Sequence, residues 1–134
     1  MKLTRASSYA LHAVVYMASH KENPIVASHH IARARGIPER FLLKVLKPLV
    51  SARVLSSVKG PNGGYRLARS PAQITVLEIL EAVDGPIRGQ VPPIEAENGS
   101  AKLDPKLEAV CSQIADRVRK QLGKVRISEL TAAS

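Results

Sequence analysis

The chemistry-bearing features of this chain are cations and a glycine-rich turn, with no paired acids or activated nucleophile. The stretch SVKGPNGGYRLA sets Lys59 and Arg66 on either side of a tip made of Pro61, Asn62, Gly63 and Gly64, with Tyr65 following. Small residues let a backbone come close to another surface, and flanking cations suit phosphate oxygens. A nucleotide-cradling loop would need Gly-x-x-x-x-Gly-Lys-Ser/Thr opening a helix. Here the last glycines run into Tyr65 and strand-like residues instead. The chain has no His-Glu-x-x-His and no nucleophile elbow, and its one cysteine, Cys111, has no histidine near it in sequence. Neither an enzyme nor a metal site is expected. His29 and His30 are adjacent, so on a helix they point about 100° apart, a poor arrangement for co-ligands.

The net charge of +9 is unevenly placed. Residues 1–70 hold twelve Lys/Arg against two acids, Glu22 and Glu39, whereas residues 71–134 hold eight against nine. Such an excess in one half implies a polyanionic partner for that half. Aromatics make up 3% of the chain, with no Trp, leaving few platforms on which single-stranded bases could stack. Duplex DNA is therefore favoured, with a basic RNA-binding or ribosome-associated protein as the alternative. An apolar fraction of 45% over 134 residues supports one aliphatic core. No uncharged apolar run reaches the roughly 18 residues of a membrane span. The N-terminal stretch lacks a clean cleavage segment, and a single cysteine suits a reducing compartment. A cytoplasmic protein with no membrane partner is expected.

The elements that must position these residues follow from periodicity. Ala10, Ala13, Val14 and Met17 mark an amphipathic helix over about 6–19. After HKENP a short helix is expected, with Ser28 as N-cap and Gly36 as its stop. The next helix places Pro38 at its first position and Phe41, Leu42, Val45, Leu46 and Leu49 on its apolar stripe. Pro48 should kink it or end regular hydrogen bonding one turn earlier. Two helices across a Gly-Ile-Pro corner, the second carrying Arg40, Lys44 and Lys47, read as a helix-turn-helix. The runs VLSSVK and YRLA then form a hairpin whose tight turn is Asn62-Gly63. That hairpin is a wing, used either against nucleic acid or only structurally.

Val76, Ile79, Leu80 and Val83 mark a further helix ending at Gly85-Pro86. Residues 87–104 read as a flexible loop. Asp104 and Pro105 open a last helix of about 20 residues, which rises some 30 Å. Its stripe of Leu107, Val110, Cys111, Ile114, Val118 and Leu122 is long for a small body to cover, so it is expected to pack against its counterpart in a two-fold dimer, the alternative being that it folds back on its own domain. Asp116 and Lys120 form a supporting pair on the other side, and ISELTAAS adds a short tail with one more turn. Cys111 reads either as a small buried hydrophobe or as a thiol at the dimer seam. The fold class is mainly α with a small β-hairpin (α+β). A winged helix-turn-helix domain spans 1–86, a flexible loop 87–104, and a dimerisation helix with its tail 105–134.

LTRASSYALHAVVYMA, IARARGIPERFLLKVLKPLVSARVL and SVKGPNGGYRLARSPAQITVLEILEAVDGP together resemble the IscR/NsrR (BadM/Rrf-type) family of bacterial winged helix-turn-helix transcriptional regulators. The resemblance implies a homodimeric regulator, a repressor, on a palindromic operator. The helix from Pro38 would enter the major groove, with the 60–64 wing at the minor groove or backbone. The DNA-contacting set expected on this basis is Lys2, Thr4, Arg5, Tyr9, Ser28, Pro38, Glu39, Arg40 and Lys44, joined by Lys59, Pro61, Asn62, Gly63, Gly64, Tyr65 and Arg66 of the wing. Glu39 reads either as an acceptor for a cytosine amino group or as a first-turn acid favoured by the helix dipole. Many members of that family carry three cysteines before the long helix, ligating an iron–sulfur cluster. IRGQVPPIEAENGSAKLD contains none, so no cluster and no other cofactor are expected, and a small-molecule or redox effector stays unidentified.

Overall fold

A computed structural model describes residues 1–20, 25–92, 94–96, 99–101 and 104–131. Helix α1 (Arg5–Ala18) starts where Thr4 caps it, its hydroxyl accepting the Ser7 N–H at 3.0 Å. Its buried side carries Ala10, Ala13, Val14 and Met17, the predicted stripe, and packs on the helices described below. Helix α2 (Ser28–Arg35) is capped by Ala27 rather than Ser28, which is the first helical residue. It stops at Gly36, whose φ of 65° is the left-handed conformation that glycine adopts without penalty.

Helix α3 (Glu39–Ser51) has Pro38 as its N-cap and so starts one residue after the predicted first position, with the Pro38 carbonyl accepting from Phe41 and Leu42 N–H at 3.0 Å. Pro48 does not end the helix, because α3 runs through it to Ser51. Proline removes one N–H there, but Leu42, Val45, Leu46 and Leu49 are all buried and hold the helix on both sides of the gap. Phe41 leaves the predicted stripe and is exposed. The helix closes with Val54 N–H on the Leu49 carbonyl and Arg53 N–H on that of Val50, each at 3.0 Å. Arg53 takes the left-handed position of this closure, φ 62°, where glycine is usual.

Strands β1 (Leu55–Val58) and β2 (Gly64–Leu67) pair antiparallel with Val58 opposite Gly64, leaving a five-residue connection. The turn inside it is closed by Gly63 N–H on the Gly60 carbonyl at 3.0 Å. Its central residues are therefore Pro61 and Asn62, not the predicted Asn62-Gly63 pair. Proline presets the first central φ of such a turn, which outweighs the Asn-Gly signal.

Helix α4 (Val76–Asp84) begins in a capping box, with Glu78 N–H on the Thr75 hydroxyl at 3.1 Å and the Thr75 N–H on the Glu78 carboxylate at 2.8 Å. The segment predicted as a loop contains two short paired strands, β3 (Ile94–Ala96) and β4 (Gly99–Ala101). Ile94 is 70% exposed, and three-residue strands are too short for an alternating pattern to announce them. Helix α5 (Pro105–Leu122) is capped by Asp104, which accepts the Lys106 N–H at 2.8 Å. The predicted extra turn is α6 (Ile127–Thr131). Here the chain returns to the body, with Val76 N–H on the Val125 carbonyl and Ile127 N–H on that of Ile74, both 2.9 Å. Ile127 is fully buried in the same core as α1, α3 and α4.

Arg69 ties three of these pieces together. Its guanidinium donates to the Arg53 carbonyl at 3.2 Å, the Gln73 carbonyl at 3.0 Å and the Glu78 carboxylate at 2.8 Å. Burial pushes the Glu78 carboxyl up, but the Thr75 N–H, the Arg69 guanidinium and the Thr75 hydroxyl outweigh it. The group titrates below its ordinary value of 4.5. A carboxyl depressed by folding contributes stability that is present above its unfolded value and lost as pH falls through the folded one. The protein should thus lose stability below about pH 4.5. Glu78→Gln should be less stable than wild type near neutrality yet lose less on acidification, which denaturant titrations on both sides of that range would measure.

Candidate nucleic-acid interface

The inner side of α3 is committed to the core, so its opposite side must face outward. Arg40, Leu43, Lys44 and Lys47 fall at the same helical spacing there, and all four are exposed. Phe41 lies beside them, with the Arg40 guanidinium 4.7 Å and the Lys44 ammonium 5.7 Å from its ring centre. Cations held over an aromatic face lose less freedom when they meet an anion.

The starts of the first three helices converge near this surface. Arg5, Ala6 and Tyr9 of α1 line a shallow groove with Phe41, Lys44 and Val45 of α3. The Ser28 hydroxyl at the start of α2 donates to the Glu39 carboxylate at 2.7 Å. Glu39 sits in the first turn of α3, where the helix dipole favours an acid. Lys2 and Pro38 are exposed. Thr4 is exposed too, but its hydroxyl is engaged, capping α1 and donating to Asp84 at 2.6 Å. The buried Ser7 hydroxyl meets the same carboxylate at 2.5 Å, so Asp84 pins the start of α1 to the end of α4.

The wing is joined to the same region through its backbone. Val26, just before α2, exchanges two hydrogen bonds with Tyr65 at 2.8 and 2.9 Å, adding a third short partner to the hairpin. A side chain at Gly64 would run into the Val26 carbonyl and come within 2.9 Å of the Ala27 Cα, so glycine is required for this approach. Tyr65 is half-buried against the core, whereas Arg66, one residue on, is exposed. Lys59, Pro61 and Asn62 are exposed at the tip, with Gly63 and Gly64 half-buried behind them. One more glycine is tight: at Gly63 a side chain would overlap the Val58 carbonyl.

Helix α5 divides its predicted stripe in two. Leu107, Val110 and Ile114 are 43%, 43% and 54% exposed, while Leu122 packs on the chain's own core. Cys111 and Val118 are half-buried between them. The other side of α5 is held by Arg119, whose Nε donates to the Glu81 carboxylate at 3.0 Å, and by Gly89, which lies against the Cys111–Ser112 backbone. Among the described residues no three His, Cys, Asp or Glu side chains are grouped as metal ligands. The His29 and His30 rings meet edge-on at 4.3 Å. No described helix is long and apolar enough to cross a membrane.

Sequence reasoning missed four contributors. Ser7 and Asp84 are separated by 77 positions, and nothing local links them. Phe41 counted as core because its spacing fits the buried stripe. Leu43 was passed over because an aliphatic residue among cations reads as unremarkable, although its i, i+1 and i, i+4 relation to Lys44 and Lys47 was visible.

The comparisons with known proteins agree with this architecture. A family model described as "Rrf2: Iron-dependent Transcriptional regulator" matches residues 3–133. The HTH-type transcriptional regulator IscR of Xenorhabdus nematophila is 30% identical over 131 residues, covering 97% of this chain and 79% of that protein. Protein aau3 of Rhizobium meliloti is 37% identical over 84 residues, 63% of this chain and 54% of its own length. Several curated relatives are matched over only about half their length. Among solved structures, CymR (YrzC), the global cysteine regulator of B. subtilis, superposes with a TM-score of 0.78 at 27% identity, covering 100% of this chain and 98% of that one. IscR of T. potens shares the fold, with a TM-score of 0.76 at 23% identity over 100% of this chain and 89% of that one. This chain, a winged helix-turn-helix body with a long C-terminal helix, belongs to the Rrf2 family of helix-turn-helix transcriptional regulators.

Proposed function

We propose that this protein is a homodimeric repressor that binds duplex DNA at a palindromic site, with α3 in the major groove and the 59–63 connection at the phosphate backbone. The observation that carries the reading is the outward side of α3, where Arg40, Lys44 and Lys47 stand opposite a fully committed apolar side. A helix of this width fits the major groove, and its cations meet phosphates or guanine edges. The net excess of positive charge in residues 1–70 supports the same partner. RNA is disfavoured, since Tyr65 is engaged in backbone pairing and packing rather than offered as a stacking platform.

The second copy belongs on α5. Three large apolar side chains, Leu107, Val110 and Ile114, project at helical spacing, and an exposed apolar patch of this kind marks an interaction surface. Two-fold symmetry would then place one α3 in each half-site. The iron of the family's description does not fit this donor set. The chain has one thiol in all, Cys111, half-buried on α5, and one thiolate does not replace a set of cluster ligands. The reading therefore includes no iron–sulfur cluster and no enzymatic activity.

In binding assays on a site selected from random duplexes, Arg40→Ala should cost about 1–3 kcal/mol and relax preference at one base pair. Lys59→Ala should weaken all duplexes evenly and lower the salt slope by about one. Equal affinities of wild type and both variants would sink the assignment. Ile114→Glu should convert a dimer to a monomer in sedimentation and weaken operator binding, and a wild type that sediments as a monomer at micromolar concentration would contradict the dimer. Protein purified anaerobically should show no visible absorbance that a chelator removes.

A further inference from the structure

The outward side of α3 contains one side chain that its charge does not explain. Leu43 is 44% exposed and stands between Arg40 three residues before it, Lys44 next to it and Lys47 four residues after. A solvated helix face has no need of an aliphatic group there, since charged helix formers such as lysine serve equally well. Phe41, the other exposed apolar residue of α3, has partners within the chain: the two cations over its ring and the groove shared with Arg5 and Tyr9. Leu43 belongs neither to the core and the residues packed on it nor to that groove.

The surrounding charge says what covers it. An occupant that suits three cations is a polyanion, and it must also offer an apolar group at their centre. Duplex DNA offers one such group at its major-groove surface, the C5-methyl of thymine. Leucine has no donor or acceptor, so its only means of reading a base edge is contact with that methyl.

We propose that Leu43 determines specificity by packing on a thymine methyl in each half-site, with Arg40, Lys44 and Lys47 holding the helix against the flanking backbone and bases. The inference rests on the DNA-binding reading above and deepens it.

The test uses deoxyuridine, which removes the methyl and leaves every hydrogen-bonding group of thymine in place. A site is first selected from random duplexes with the full-length protein, and each thymine is then replaced in turn. One symmetry-related pair of replacements should weaken wild type about 4-fold per half-site, the factor that follows from burying one methyl group. Leu43→Ala should bind the thymine and deoxyuridine duplexes alike, and Leu43→Gln should shift preference at that position toward adenine. The proposal is overturned if deoxyuridine at every thymine leaves wild-type affinity unchanged, or if Leu43→Ala shows the same deoxyuridine penalty as wild type. Should Leu43→Ala fail to fold, Leu43→Gln makes the same comparison, and a deoxyuridine penalty equal to that of wild type in it overturns the proposal. A selection that recovers no preferred duplex defeats the DNA-binding reading as well, whereas a preferred duplex without methyl dependence defeats only this one.

Discussion

Burial of one side of α3 is the constraint on which the rest of the surface depends. Leu42, Val45, Leu46 and Leu49 are at most 4% exposed, and fully burying a leucine or valine is worth roughly 1.5–3 kcal/mol each. No rotation of the helix about its axis keeps those four inside and also moves Arg40, Leu43, Lys44 or Lys47 inward. The direction of the cations is thus a consequence of aliphatic packing and needs no polar interaction to hold it. The same packing carries α3 past Pro48, where the missing N–H costs less than breaking the buried side would.

Polar interactions act at the edges, where they fix the spacing of elements that the core leaves free. The Val26–Tyr65 exchange attaches the wing to the start of α2, and Gly64 permits it because any side chain would meet the Val26 carbonyl. Arg69 joins the end of α3, the exit of the wing and the capping box of α4. Arg69 and Glu78 are each about one-third exposed, so their ion pair adds little energy by itself. Its effect is to keep Arg53, held at positive φ, and the start of α4 in one arrangement.

Helix α5 shows two demands on a single stripe. Its end, with Leu122, and the strand-like return through Val125 and Arg126 serve the body, whose core is completed by Ile127. Its first half, with Leu107, Val110 and Ile114, is left to solvent by the single chain. A reading of the stripe as one continuous seam cannot separate these halves, since both have the same residue types at the same spacing.

Aliphatic stripes at 3.6 spacing located α1, α3, α4 and α5 to within a residue or two, and the Ser28 and Gly36 end signals located α2, because both kinds of signal are local. Composition alone placed the positive charge in the first half and excluded cluster ligands from the segment before α5. The paired strands 94–96 and 99–101 escaped because three-residue strands are too short to show an alternating pattern. The turn centre at Pro61-Asn62 escaped because two turn signals competed within five residues. Ser7 with Asp84, Val26 with Tyr65 and Ile127 with the core were also beyond sequence, because each joins positions brought together only when the helices dock. The sequence by itself determined which residues form helices and which carry charge. Only the tertiary structure decided where the aliphatic stripes stop being buried, at Phe41 and along the first half of α5, and how the helix starts and the wing come together beside Leu43, because these depend on how the elements dock.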